Sequence, residues 1–157
     1  LVYDHVNAVD TQNSTLLCRS GKKITYDKLI LATGSQPNKF GWPGQDLQGV
    51  QGLYSYQDLQ LMEQNSKGIK KAVIVGGGLI GIEMAEMLLS RNIEVTFLVR
   101  EKEFWSNVLP EQEAKLISNH VRSHHVDLRL ETELLSIQDN GEGKIKGIIT
   151  SKNESID

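Results

Sequence analysis

The feature that most constrains this chain is a glycine-rich run at residues 73–83, which reads Val-Ile-Val-Gly-Gly-Gly-Leu-Ile-Gly-Ile-Glu. It contains the spacing G-x-G-x-x-G, with glycines at Gly76, Gly78 and Gly81. An apolar stretch precedes the run and predicts a buried strand, and a helical pattern follows it. A strand that turns into a helix through such glycines opens a βαβ unit, so the chain is predicted to contain a parallel sheet.

Each of the three glycines has its own role in the binding of a dinucleotide. Gly76 makes the tight turn from strand to helix, and Gly78 lacks a Cβ, so that a pyrophosphate can approach the backbone. Gly81 lets the helix lie close to the strand, while the amide groups and dipole at the helix N-terminus favour the phosphate charge. Because the next strand begins at Glu94, the context predicts a dinucleotide site rather than merely a tight turn.

The residues from 53 onward alternate between helical and strand patterns. This order predicts an α/β fold with a Rossmann-like, doubly wound parallel sheet, followed by a hairpin that turns at Asn140-Gly141. Asn92 is expected to end its helix in a left-handed conformation, which asparagine tolerates. The predicted helices are 56–66, 79–91 and 110–123, and the predicted strands are 69–75, 94–99, 126–130, 133–138 and 144–150.

The first 35 residues differ from the rest and predict an added antiparallel β meander. Strands are expected between Val2 and Val9, at 15–19 and at 24–31. Within the third of these, the continuously apolar residues 29–32 predict a strand that is covered on both faces. Glycines and prolines then punctuate 37–52, which is expected to be a linker.

Composition and charge exclude several classes of function. The net charge of −3 leaves no overall basic field for nucleic acid or an anionic membrane, and no apolar stretch is long enough to span a bilayer. A single cysteine, Cys18, excludes an internal disulfide and a multi-thiolate zinc site. Because no signal-peptide pattern follows Leu1, the chain is expected to be cytoplasmic, without nucleic-acid or membrane partners.

Neither a metal ligand nor a catalytic side chain is assigned. His120 and His124 lie one turn apart on a predicted helix, but no glutamate follows His120 as in H-E-x-x-H, so two polar surface histidines are the simpler interpretation. Phe104 and Trp105 are expected to anchor the loop that precedes Pro110 rather than to stack on an adenine.

The end of the second strand of the βαβ unit carries charges that conflict. Glu101 lies twenty residues beyond Gly81, close to the spacing at which an acidic residue binds the ribose hydroxyls of NAD. Arg100 is instead typical of the arginine that accepts the 2′-phosphate of NADP, and Lys102 lies nearby. A solvated run of charges is the alternative. We therefore expect NAD or NADP as the cofactor, without strict discrimination.

A second informative stretch, residues 25–37, reads Thr-Tyr-Asp-Lys-Leu-Ile-Leu-Ala-Thr-Gly-Ser-Gln-Pro. Together with the glycine-rich run it resembles the two-dinucleotide-binding-domain flavoproteins, the pyridine nucleotide–disulfide oxidoreductase superfamily. In that family an Ala-Thr-Gly-x-x-Pro segment ends the first part of the FAD domain. A later fingerprint for the nicotinamide nucleotide includes a glutamate two residues after its last glycine, here Glu83. The resemblance covers essentially the whole chain.

The resemblance implies how the chain is organised. Residues 1–36 are expected to be a remnant of the FAD-binding domain, 37–52 a linker, and 53–157 an NAD(P)-binding domain truncated at its C-terminal end. The family's first G-x-G-x-x-G and its later Gly-Asp flavin motif are not in these residues, so the chain is expected to be an inactive fragment of an enzyme. Unpaired strand edges make a homodimer a further expectation.

The resemblance also implies a function and a site. The parent enzyme is expected to pass a hydride from NAD(P)H to FAD, and electrons onward to an unidentified acceptor. Nitrite reductase, rubredoxin or ferredoxin reductase and NADH oxidase types all remain open. A non-catalytic Rossmann-type regulatory module and a methyltransferase using S-adenosylmethionine are the alternatives. The residues expected to bind cofactors are Gly76, Gly78, Leu79, Ile80, Gly81, Glu83, Arg100 and Glu101 for NAD(P), and Thr33 and Gly34 for FAD.

Overall fold

The computed structural model describes residues 1–157 and divides them into two compact units, Leu1–Ser35 and Gln36–Asp157. The first unit is a three-stranded antiparallel sheet in the order β1-β2-β3, so the predicted meander is confirmed. Its strands are β1 (Val6–Asp10), β2 (Thr15–Cys18) and β3 (Lys23–Thr25).

The third strand of this unit is shorter than predicted. β3 ends at Thr25, and residues 29–32 form no strand. Ile30 and Leu31 are 87% and 72% exposed, so the expectation of a strand covered on both faces is wrong. An apolar run forms a buried strand only when other strands pair with it, and the sheet of the first unit offers none at this position.

The second unit contains a parallel sheet of three strands in the order β4-β5-β6. One helix lies between β4 and β5 in the chain and another between β5 and β6, so the predicted Rossmann-like order is confirmed. The strands are β4 (Lys71–Val75), β5 (Glu94–Leu98) and β6 (Asp127–Arg129), and the helices are α1 (Tyr56–Asn65), α2 (Leu79–Ser90) and α3 (Glu111–Ser123).

A second antiparallel sheet completes this unit, with strands β7 (Leu134–Asp139), β8 (Ile145–Thr150) and β9 (Ser155–Ile156). β7 and β8 form the predicted hairpin, and Gly141 and Gly143 adopt positive φ in its turn. Sequence reasoning missed β9, because a strand of two residues is too short to show an alternating pattern.

Alternate residues of β5 enter two different cores. Val95 and Phe97 belong to a cluster that includes side chains of α2 and α3, whereas Leu98 packs with Ile137 and Ile148 of the antiparallel sheet. Side chains alternate across a strand, so the two helices cover one face of the parallel sheet and the antiparallel sheet covers the other. Phe97 and Leu98 are at most 1% exposed, which makes β5 the centre of the unit.

Part of the stretch expected to be a linker packs against the antiparallel sheet. Trp42 and Leu47 contact the buried cluster around Ile137, whose backbone amide donates to the Pro43 carbonyl over 2.8 Å. A Cβ on Gly44, which has φ of 83°, would lie 2.2 Å from the Ile137 oxygen. This glycine therefore permits a close approach of two backbones.

Local sequence signals account for the helix ends. Ser55 and Asp58 form a capping box at the start of α1. After α2, Asn92 adopts φ of 58°, which confirms its predicted left-handed conformation. α3 begins with Glu111 after Pro110, which is the N-cap rather than the first helical residue. None of the three helices has the length and apolar character that crossing a bilayer requires.

A candidate dinucleotide site at the glycine-rich turn

The turn between β4 and α2 is made by glycines that have different surroundings. Gly76 has φ of 104°, a conformation that an L-residue with a side chain rarely adopts. Its amide donates to the Leu98 carbonyl over 3.0 Å, which ties the turn to the end of β5. Gly78 is the N-cap of α2, and a Cβ added there would meet no atom within 4 Å. The turn thus leaves open space in front of the helix.

No side chain of the protein accepts a hydrogen bond from the amides at the N-terminus of α2. No side chain caps the helix, and its first turn contains no acidic residue. The Ile82 amide bonds back to the Gly78 carbonyl over 3.3 Å, so the three preceding helical amides, of Leu79, Ile80 and Gly81, lie before the first helical hydrogen bond. Leu79 and Ile80 are 67% and 56% exposed. Free amides beside open space are the arrangement that a phosphate group fits.

Gly81 is different, because it is buried against the sheet. A Cβ at this position would lie 2.7 Å from Phe97 Cζ and 2.9 Å from the Gly76 oxygen. Its role is therefore close packing of helix on strand, as the spacing predicted. The middle glycine, Gly77, faces Val99 and Phe104, whose atoms lie 3.3–3.4 Å from where its Cβ would be.

β5 is followed by an apolar residue, Val99, and then by the charged residues Arg100 and Glu101. Val99 is 0% exposed. Arg100 follows with its side chain 74% exposed, and its Nε donates to Oε1 of Glu101 over 3.1 Å. The two side chains that were expected to favour different cofactors, NADP and NAD, therefore form an ion pair with each other. The Glu101 carbonyl also accepts from the Glu131 amide over 3.0 Å, which anchors the backbone of this loop.

Phe104 anchors the loop between β5 and α3 to the core. Its ring is fully buried and stacks on Phe97, with ring centroids 5.4 Å apart, and its amide donates to the buried Ser118 hydroxyl over 2.9 Å. Trp105 packs partly buried against the same cluster. The expected anchoring role of the two aromatic residues is confirmed. The Ser118 hydrogen bond was missed, since nothing in the sequence pairs a helix serine with a loop amide.

The other expected site residues are exposed. Glu83 is exposed on α2, and its carboxylate has no hydrogen bond or ion pair in the chain. Thr33 and Gly34 belong to the first unit, where both are exposed and Gly34 adopts φ of 72°.

Two of the histidines contact each other on α3. His120 and His124 are in ring contact, with centroids 4.4 Å apart, and His124 Nδ1 lies 2.9 Å from the His120 carbonyl oxygen. No group of three or more metal-ligating side chains is present. Cys18 is a buried free thiol in β2.

Comparison with known proteins gives the class to which this architecture belongs. The family model of the pyridine nucleotide-disulphide oxidoreductases matches residues 1–157. The chain is therefore a member of the pyridine nucleotide-disulphide oxidoreductase family. Among curated relatives, the nitrite reductase [NAD(P)H] of Bacillus subtilis is 32% identical over 149 residues, which are 95% of this chain and 18% of the relative.

Solved structures match nearly the whole chain. A ferredoxin reductase from Rhodopseudomonas palustris aligns with a TM-score of 0.88 at 22% identity, over 99% of this chain and 38% of that one. A water-forming NADH oxidase from Lactobacillus brevis, bound to NADH, gives 0.84 at 25% identity over 98% and 34%. Its engineered NADPH-bound variant gives 0.83 at 26% over 97% and 34%. The chain thus spans well under half the length of each of these proteins.

Proposed function

We propose that this chain is the nicotinamide-nucleotide-binding part of an FAD-dependent oxidoreductase. The observation that carries the proposal is the open, uncapped N-terminus of α2 behind Gly76 and Gly78, in a chain whose family model matches throughout. When bound, NAD(P)H supplies a hydride that the flavin of such an enzyme accepts. The residues described above bind and orient the nucleotide, and none is needed as an acid, base or nucleophile.

The pyrophosphate is assigned to the amides of Leu79, Ile80 and Gly81. Phosphate oxygens accept hydrogen bonds from free helix amides and are favoured by the helix dipole. Gly78 keeps the approach open, and Glu83 remains a candidate for a contact to the nicotinamide half. Thr33 and Gly34 are proposed to contact FAD, as the family resemblance implies.

We assign the adenosine ribose to the loop after β5, and an engineered relative supports a role for Arg100 in binding NADPH. The substitutions in the NADPH-bound oxidase include an aspartate changed to alanine and, at the next position, an alanine changed to arginine. Another substituted residue, a glycine, lies eighteen positions before that aspartate. Here Val99 lies eighteen positions after Gly81 and is followed by Arg100. When that glycine is matched to Gly81, the alanine and arginine of the NADPH-bound variant correspond to Val99 and Arg100 of this chain.

The electron acceptor is proposed only as a class. Relatives carry names such as nitrite reductase, NADH oxidase and ferredoxin–NAD(+) reductase subunit, so their acceptors differ from one another. This chain matches only 18% and 38% of two of these relatives, so residues outside the matched part can contribute to the choice of acceptor. We therefore propose a redox partner or small-molecule acceptor reached through FAD.

Calorimetric titration of the purified chain with NADPH, NADH and S-adenosylmethionine tests the proposal. We expect both nicotinamide nucleotides to bind and S-adenosylmethionine, which lacks a pyrophosphate, to give no heat of binding. Binding of S-adenosylmethionine alone would favour a methyltransferase-type site and overturn the proposal. Hydride transfer from NADPH or NADH to FAD in the longer enzyme separates a catalytic role from a regulatory one.

A further inference from the structure

The charged residues after β5 form a pair whose arrangement bears on the choice of nucleotide. Val99, directly after the strand, is fully buried and faces Gly77 of the turn. No carboxylate therefore occupies the position nearest the glycines. The first charged groups that a nucleotide bound at this turn would meet are those of Arg100 and Glu101.

The pair leaves part of each side chain free. Only Nε of Arg100 is bonded to Glu101, so its two terminal guanidinium nitrogens keep donors without a partner in the chain. Glu101 uses one oxygen for Arg100 and keeps the other as an acceptor. Its side chain is 26% exposed against 74% for Arg100, and its backbone is tied to Glu131. The carboxylate is thus the more buried member of the pair, and the guanidinium is the more exposed one.

We propose, resting on the function proposed above, that Glu101 sets the cofactor preference by partly neutralising Arg100. A 2′-phosphate is attracted by the guanidinium and repelled by the adjacent carboxylate. A ribose with two free hydroxyls meets no such repulsion and finds an acceptor in the free oxygen of Glu101. The pair therefore keeps the affinities for NADPH and NADH close to each other, so that one chain uses both.

The test compares the ratio of NADPH to NADH affinity, measured by calorimetry, among single variants. Glu101→Gln removes the charge but keeps an acceptor for Arg100 Nε, and Glu101→Ala removes both. We expect each to raise the ratio about fivefold to tenfold, because a charge-assisted contact typically changes affinity by about tenfold or more and this one is partly exposed. Arg100→Ala should lower the ratio by a similar factor. Glu142→Gln, an equal change of charge in the β7–β8 turn, should leave the ratio unchanged.

The salt dependence tests whether the effect of Glu101 is electrostatic, and the binding results distinguish failure of this inference from failure of the proposed function. The effect of Glu101→Gln should shrink as salt increases from about 0.05 M to 0.5 M, since screening weakens charge–charge terms. Binding of both nucleotides with a ratio that Glu101→Gln and Glu101→Ala leave unchanged or lower would overturn the inference alone. A wild-type chain that binds neither nucleotide would overturn the proposed function and this inference with it.

Discussion

Phe97 Cζ lies 2.7 Å from the position that a Cβ would occupy on Gly81, so the ring of β5 and the backbone of α2 are in direct contact. Three residues earlier in the chain, the surroundings of Gly78 are empty to 4 Å. One glycine of the motif therefore serves the fold, and the other leaves room for a ligand. Substitution can therefore separate the packing role of Gly81 from the binding role proposed for Gly78.

Gly78→Val should abolish binding of NADPH and NADH while the chain stays folded. The added branches enter the open space in front of α2, which the structure leaves free and a pyrophosphate needs. We expect affinity to fall at least about a hundredfold, equivalent to about 2.7 kcal/mol. Calorimetric titration measures the affinity, and circular dichroism measures the fold.

The matched control is Gly81→Val, which should unfold or strongly destabilise the chain because its side chain overlaps Phe97. Overpacking of this kind costs about 1–3 kcal/mol or more. If Gly78→Val bound nucleotide as tightly as the wild type, the result would contradict the assignment of the glycine-rich turn to the nucleotide site.

Local signals were sufficient to predict the turn, the β-α-β-α-β order and the β7–β8 hairpin. The glycine spacing, the asparagine at 92 and the Asn140-Gly141 pair each act through backbone conformation within a few residues, so the sequence reports them directly. The βαβ order follows because each element has its own period of apolar residues.

Features that depend on distant partners or on the directions of side chains could not be predicted in the same way. Residues 29–32 have the composition of a buried strand, yet burial requires neighbouring strands that this unit does not contain. The Arg100–Glu101 pair and the Phe104–Ser118 hydrogen bond depend on side-chain directions, which sequence spacing does not define. The fold was therefore more predictable than the details of the site.

Ser118→Ala should destabilise the chain by about 1–3 kcal/mol, because the buried Phe104 amide would lose its acceptor. The same change should loosen the loop that carries Arg100 and Glu101. Urea denaturation followed by circular dichroism gives the free energy of unfolding. Ser123→Ala, an exposed serine of the same helix, should change that free energy by less than about 0.5 kcal/mol. Equal effects of the two variants would contradict a specific role for the Ser118 hydroxyl.

The capping box of α1 predicts a pH dependence of stability. α1 has no fully buried residue, and Ser55 and Asp58 cap its start. Hydrogen bonds from the Ser55 amide and hydroxyl lower the pKa of Asp58 below its ordinary value of 3.8. A lowered pKa in the folded state means that the ionised carboxylate stabilises the fold above pH 3.8, and that this contribution is lost as the pH falls through the lowered value.

Asp58→Asn should therefore be less stable than the wild type at pH 7, and the difference should shrink below about pH 3.8. Urea denaturation of both chains between pH 7 and pH 3 measures it. Ser55→Ala, which removes the cap itself, should cost about 1 kcal/mol at pH 7. A difference between Asp58→Asn and the wild type that is constant over this pH range would show that the charge of Asp58 does not stabilise the helix.

The apolar surface of the first unit predicts that the chain associates with itself. Ile30 and Leu31 are exposed side by side, and a monomer rarely leaves neighbouring large apolar side chains in water without a partner. Sedimentation velocity across a range of concentrations should show reversible association of the purified wild-type chain. Ile30→Lys together with Leu31→Lys should raise the dissociation constant roughly tenfold or more, since each buried side chain of this size contributes about 1.5–3 kcal/mol. Leu116→Lys, at a residue of α3 that is 68% exposed, should leave association unchanged. A wild-type chain that sediments as a monomer at high concentration would show that Ile30 and Leu31 do not mediate pairing between copies.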